Sequence, residues 1–292
     1  MSDATEIATP PRASVFAGLR LTWTAVLAGS VLLFWLILAL FGPWIAPHGE
    51  AEIISSTTFA PIGEGGLLGT DKLGRDVFSR LIYGVRTTLL LALITTVISF
   101  AFGVTLGFAA AILKGWFDIV VSRIVEAFMA FPSTLLALVV IGAFGTSITV
   151  LVLTVGLVLS TSVFRVSRAL GYDIGVMDFV EAARARGEGT WWILTREILP
   201  NSMAPLIAEF GLRFTFSILF LSGLSFLGLG VQEPAADWGL MVQENVGGLF
   251  LGSSAALIPA ACIASLTVSM NLLVDWFQQR QQGETVLEKI DQ

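Results

Sequence analysis

The chain has one cysteine, Cys262, and one histidine, His48, in 292 residues. A single thiol excludes an intramolecular disulfide framework, and one imidazole with no soft ligand beside it cannot build a transition-metal site. Charge is scarce too: 13% of the residues are charged, about half the roughly 25% of a soluble domain. The net charge of −6 provides no basic footprint, which argues against nucleic acid as a partner. There is no Gly-x-x-x-x-Gly-Lys-Ser/Thr loop, so any ATP chemistry must lie on another chain. Low-complexity tracts and soluble repeats are also missing. What the chain does have is apolar surface, with 55% hydrophobic residues and a mean hydropathy of +0.85. Polar groups cannot cover so much of it, so its solvent must be largely lipid.

A bilayer core about 30 Å thick needs roughly 20 apolar residues in a helix, so the distance between charges is a useful ruler. It predicts six crossings, at about 21–46, 87–113, 119–141, 148–169, 202–227 and 252–277. The third and fourth share a charge-free stretch too long for one crossing, with Gly142-Ala143-Phe144-Gly145-Thr146-Ser147 as the turn between them. The expected fold is all-α and polytopic. The Lys and Arg bias of short loops places both termini in the cytoplasm. Arg12, Arg20, Lys114, Arg165, Arg168, Arg184, Arg186, Arg196, Arg280 and Lys289 then lie inside or at the inner edge. Lys72, Arg75, Arg80 and Arg86 lie outside, balanced by Glu50, Glu52, Glu64, Asp71 and Asp76. The plan is a tail 1–20, a first helix 21–46, an outer segment 47–86, a five-helix core 87–277 and a tail 278–292. Residues 1–19 are polar without a small-residue cleavage site, so the first span is expected to remain as an anchor. Cys262 reads as an inert apolar residue of the sixth span, and His48 as an interfacial loop residue. Gly103, Gly107, Gly142 and Gly145 would allow close helix packing.

Segment 171–201 is amphipathic rather than spanning. Asp178 can cap a helix through Phe179, Val180, Glu181, Ala182, Ala183 and Arg184. Gly187 and Gly189 interrupt it, so a turn there would start a second short helix from Trp191 to Leu199, stopped by Pro200. Trp191, Trp192, Ile193 and Leu194 give this knob an apolar side that needs a partner or the lipid interface.

Glu181-Ala182-Ala183, Gly187 and Ile198-Leu199-Pro200 resemble the EAA loop of bacterial ABC-importer permeases, EAA-x3-G-x10-I-x-L-P, with Ile198 here directly before Leu199. The run from Gly69 to Leu81 resembles the GTDxxGRDxxSRL segment of the dipeptide/oligopeptide/nickel subgroup. Phe131-Pro132, the run from Ser225 to Gln232, Trp238-Gly239 and Asn271-Leu272-Leu273 fall in that subgroup's order as well. The resemblance implies the second permease subunit of such an importer, with a type I ABC-importer permease fold in the bacterial inner membrane. It makes Glu181, Ala182, Ala183, Gly187, Ile198, Leu199 and Pro200 the residues that couple to an ATPase. The implied partners are a homologous second permease, two subunits that bind ATP and Mg, and a periplasmic substrate-binding protein. The chain itself would be no enzyme, with no catalytic residue, metal or cofactor of its own. Its cargo would be peptides or a related small solute, with nickel chelates, opines and oligosaccharides as alternatives that share these motifs.

Two departures stand out. Leu221 and Ser222 occupy the place where the subgroup usually carries an acidic residue, while Glu209 and Arg213 lie where neutral residues are more usual. Four apart on one helix face, Glu209 and Arg213 form either a structural ion pair or part of the translocation path. An ion-gradient transporter or channel, the competing class, would usually place ionisable residues in several spans. Here only Glu209 and Arg213 qualify, beside Glu126 near the inner end of the third. A membrane scaffold would need no projecting knob. In the outer segment, a helix from about Asp76 would put Val77, Leu81 and Val85 on one side and Arg80 and Arg86 toward water, lying on the membrane surface. Asp71, Arg75 and Asp76, expected exposed there, are the candidate contacts for a binding protein.

Overall fold

The computed structural model describes residues 22–290, with side chains as far as residue 280. Ten α-helices occupy them: α1 Trp23–Ile45, α2 Val77–Leu113, α3 Gly115–Met129, α4 Ser133–Phe144, α5 Ile148–Gly175, α6 Asp178–Ala185, α7 Thr190–Ile193, α8 Leu199–Phe226, α9 Trp238–Asn245 and α10 Leu257–Ile290. A π-helical turn, Leu194–Ile198, joins α7 to α8. Among the described residues there is no strand, only isolated bridges at Ile53–Arg75 and Thr70–Asp76. Five helical stretches are long and apolar enough to cross a bilayer, or six if the bent pair α3–α4 counts as one span. The tail 1–20, with Arg12 and Arg20, and the side chain of Lys289 lie outside the described residues.

Helices α2 and α5 form the most extensive pair. Gly103 seats against Val163 and Ser160, and Gly107 against Phe164, Ser167 and Arg168, where any Cβ would collide. Gly142, in the last turn of α4, and Gly145, just after it, meet no neighbour at all. Along the pair, Thr95 and Ile98, midway along α2, meet Gly156 early in α5, while Phe108 and Ala111 meet Gly171 near the ends of both. The two helices are therefore parallel, and the chain between them has to return across the whole thickness. On this scaffold α1 packs through Gly42 on Ile82 and through Trp35 Nε1, which donates to Ser265 Oγ of α10 at 3.0 Å. Gly211 of α8 seats on Val274 of α10.

Three boundaries depart from the sequence reading. No separate surface helix precedes the second span, because α2 runs 37 residues without interruption from Val77. The Asp76 carboxylate accepts from the Phe78 and Ser79 N–H groups, capping the helix. Its apolar stripe continues from Val85 into Leu91 and Ala92, and nothing between Arg86 and Thr87 breaks it. The third span is broken rather than continuous, bent by 88° between α3 and α4. Pro132, at the N-cap of α4, clashes with the preceding turn and offers no N–H. Pro200, expected to stop a helix, instead lies in the first turn of α8. The missing N–H falls just after the π turn Leu194–Ile198, whose wider hydrogen-bond register accommodates it without ending the helix. Thr190–Phe226 is thus one helical rod of 37 residues joining the knob to the membrane.

Candidate functional site

The knob is built from α6, α7 and the π turn. Met177, not Asp178, takes the N-cap position and supplies no side-chain bond. Asp178 stands one residue inside, in the first turn, where its carboxylate still favours the helix N-terminus. At the other end Gly187 has φ +81°, the left-handed conformation that closes a helix. The Glu188 N–H donates to Ala183 O at 3.2 Å and the Gly187 N–H to Arg184 O at 2.9 Å. These are the two bonds of a Schellman motif, so the spacing between Ala183 and Gly187 follows from the turn itself. Ala183, Val180, Ile193 and Ile198 are buried with Phe108 of α2, Ile174 of α5 and Leu206 of α8. Glu181, Ala182, Arg184 and Gly187 are exposed on the opposite side with Met177 and Phe179, while Leu199 is half-buried and Pro200 exposed. The knob is therefore locked to three spanning helices on one side and presents an unpartnered apolar and charged edge on the other. Trp191 is 75% exposed, whereas Trp192 is half-buried, with the Arg186 guanidinium 5.9 Å from its ring.

At the opposite face of the bundle the outer segment is not a solvated surface. Asp71 is 0%, Arg75 3%, Asp76 2% and Arg80 0% exposed. This overturns their expected exposure and removes the ground for direct contacts to a binding protein. Arg80 does not point to water, and only Arg86 remains exposed. The partner that buries them is Glu244, on α9. Its Oε2 accepts from Arg75 Nη2 at 3.0 Å and from Arg80 Nη2 at 2.9 Å. Arg75 Nε also donates to Asp71 Oδ2 at 2.6 Å, and Lys72 Nζ sits 2.6 Å from Glu233 Oε1. Three cations thus meet three carboxylates. Burial alone would lower the Arg75 pKa, but Asp71 and Glu244 outweigh it, and the guanidinium ends above its ordinary value.

Each polar position of the run from Gly69 to Leu81 has an internal partner. Thr70 Oγ1 donates to Thr57 O, and Asp71 Oδ1 accepts from the Leu73 and Arg75 N–H groups. A Cβ on Gly74, at φ +80°, would lie 2.1 Å from Ser55 O. Ser79 Oγ donates to Asp76 Oδ2 at 2.6 Å, and Leu81 O accepts from Trp238 Nε1 at 3.0 Å. Asp237 and Glu50 complete the attachment of α9. Asp237 Oδ1 accepts from Thr88 Oγ1, and Glu50 Oε2 accepts from the Ala236 N–H. Burial pushes the Asp237 carboxyl up, against the Leu240 N–H and the Thr88 hydroxyl that favour its ionised form.

Between the two faces, Arg213 Nε donates to Glu209 Oε1 at 2.6 Å along α8, with the guanidinium 5.1 Å from the Phe216 ring. Glu209 is buried and Arg213 half-buried. Leu221 and Ser222 are buried too, with Gly239 seated on the Ser222 backbone. Glu209→Gln should leave a guanidinium unmatched in a low dielectric and reduce the amount of folded permease severalfold, while Glu209→Gln with Arg213→Met should restore it. Quantitative immunoblotting of membranes measures both. Native abundance of the single variant would show that the pair does not hold α8.

One cluster had no signal in the sequence. Asp118 of α3 accepts from Arg168 Nε at 2.5 Å, Arg168 Nη2 at 2.8 Å and Tyr172 Oη at 2.8 Å, fastening α3 to α5 on the knob side. The partners lie 50 and 54 residues apart in sequence, and no short-range spacing links them.

Relatives place this architecture. The chain is 31% identical over 255 residues to the glutathione transport system permease protein of Pectobacterium atrosepticum, covering 86% of this chain and 84% of that one. It is 36% identical over 253 residues to the di/tripeptide transport system permease protein of Pseudomonas aeruginosa, covering 84% of each. The crystal structure of an amino acid ABC transporter with histidines shares the fold, with a TM-score of 0.52 at 19% identity over 70% of this chain and 94% of that one. Residues 103–283 match the family described as binding-protein-dependent transport system inner membrane component. With its apolar helices and buried glycine-packed core, the chain belongs to that family: it is a multi-pass inner-membrane permease subunit of an ABC importer.

Proposed function

We infer that this permease carries peptides or closely related small solutes inward, with a homologous second permease completing the path. The knob face is cytoplasmic and both termini lie on that side. Two ATPase subunits grip the exposed edge of α6, where Glu181, Ala182, Arg184 and Phe179 stand. One observation carries this reading: the knob is continuous with α8 and locked into α2 and α5, so a push on it moves three spanning helices as one body. Closure of the ATPase pair on ATP binds the two permease conformations unequally, which is the condition for driving the change. The peptide class rests on the names of the relatives, the glutathione and di/tripeptide permeases. The binding protein meets the α9 face through residues other than the buried carboxylate and guanidinium groups.

Purification of the tagged chain from native membranes in mild detergent should bring down a second permease and two copies of an ATP-binding chain, and the complex in liposomes should take up di- or tripeptide only with ATP and binding protein. Isolation of the chain alone, with uptake collapsed by a protonophore but indifferent to ATP, would establish the ion-gradient alternative instead.

A further inference from the structure

The broken third crossing carries an inference of its own, resting on the permease reading above. Because α2 and α5 run parallel, the chain between Leu113 and Ile148 returns from the knob face to the α9 face, and its break at Ala130–Pro132 has to lie between the two. Ten consecutive residues across that break, Glu126 to Leu135, are exposed, so nothing among the described residues covers it. No side chain caps the first turn of α4, and the ends of both helices leave backbone N–H and C=O groups without intrahelical partners. Just before the break, Arg123 and Glu126 form an ion pair at 2.9 Å with 78% and 61% of their side chains exposed. They project from α3 on the side away from Asp118 and Val125, the two buried residues by which it packs.

Irregular backbone at membrane depth is tolerated where it is buried in protein or lines a water-filled cavity, not against acyl chains. Ionisable side chains at that depth follow the same rule. Both exposed features stand together on one stretch of chain, and Arg123 and Glu126 are partnered by each other. We propose that the Arg123–Glu126 pair and the adjoining break at Ala130–Pro132 form the part of the aqueous passage wall that this subunit contributes, opened to water in one conformation of the importer and closed in the other. Phe128, Phe131 and Leu135, all exposed, would then alternate with the polar groups along that wall and meet the side chains of the solute.

Ala127 and Thr134 flank the break and are both exposed and small, so Ala127→Cys and Thr134→Cys disturb packing least. In a Cys262→Ala background, the assembled importer is placed in liposomes and treated with a charged methanethiosulfonate reagent, which reacts with the thiolate and so needs water. Phe34→Cys, on the exposed face of α1, is the lipid control, and Trp116→Cys near the start of α3 the interfacial one. Labelling at 127 and 134 should exceed that of Phe34→Cys by about tenfold or more in one state, nucleotide-free or vanadate-trapped, and fall to its level in the other. Equal labelling in both states, as at an interfacial site, overturns the proposal. So does the absence of labelling in either state, which would mean that a partner subunit covers the break. ATP-driven peptide uptake by the same liposomes is measured in parallel, so loss of uptake with state-dependent labelling would count against the peptide reading and not against the wall.

Discussion

Glu244→Ala is expected to undo the α9 face. The substitution leaves the guanidinium groups of Arg75 and Arg80, which are 3% and 0% exposed, without the carboxylate oxygen that both share at 3.0 and 2.9 Å. Breaking a buried pair by removing one partner is destabilising by about 3–5 kcal/mol, because a charge remains in the interior uncompensated. Here Asp71 retains a hold on Arg75 at 2.6 Å but approaches Arg80 Nε only at 3.5 Å, so Arg80 suffers most. Glu244→Gln, which preserves shape and one acceptor, should fall between. Lys72→Met removes a partly exposed cation and should change stability by less than about 1 kcal/mol. Thermal unfolding of the purified importer, followed by the loss of monodisperse protein, ranks the three. Native stability in Glu244→Ala would refute the account of the charge network, whereas loss of uptake with native stability would move its role from folding to transport.

Gly187→Pro should abolish uptake while the chain inserts normally. Proline cannot adopt φ +81° and has no N–H to donate to Arg184 O, so both requirements of the Schellman turn fail at once. The second helix of the knob would leave α6 at a different angle, and the exposed edge would no longer fit one ATPase surface. Size by itself is not the limit within this chain, since a Cβ at Gly187 meets nothing within 4 Å. Gly187→Asn, which tolerates the left-handed region better than other side chains, should therefore keep most uptake. Gly187→Ala should lose an amount of local stability near 1 kcal/mol. Co-purification of the ATPase with each variant separates lost docking from lost transport. Full uptake with Gly187→Pro would exclude the knob from the coupling path.

Much of this architecture was legible locally. Gaps between charges picked out the long apolar helices, because lipid penalises each charge where it stands and needs no knowledge of neighbours. The knob between α5 and α8 was legible for the same reason: Gly187 closes a turn through bonds to Ala183 and Arg184, all inside one short segment. The pairing of Glu209 with Arg213 follows from their spacing of four.

The outer segment shows where local reading stops. Asp71, Arg75 and Asp76 looked like exposed, balanced charges, and the same composition serves a solvated loop or a buried network. Glu244, which decides between them, lies 169 residues from Arg75 and 164 from Arg80. Its approach depends on α9 folding back over α2, held by Trp238 and Asp237. The same holds for Asp118, whose partners are on α5. Pro132 and Pro200 make the point within single helices. One stands at an 88° bend, and the other continues a helical rod just after a π turn, because the effect of a missing N–H depends on how the backbone around it is paired. The sequence by itself determined which segments enter the membrane and where the knob turns, since burial in lipid and left-handed turns are set by a few consecutive residues. Only the tertiary structure decided which charges are buried, because that depends on partners that folding brings from distant parts of the chain.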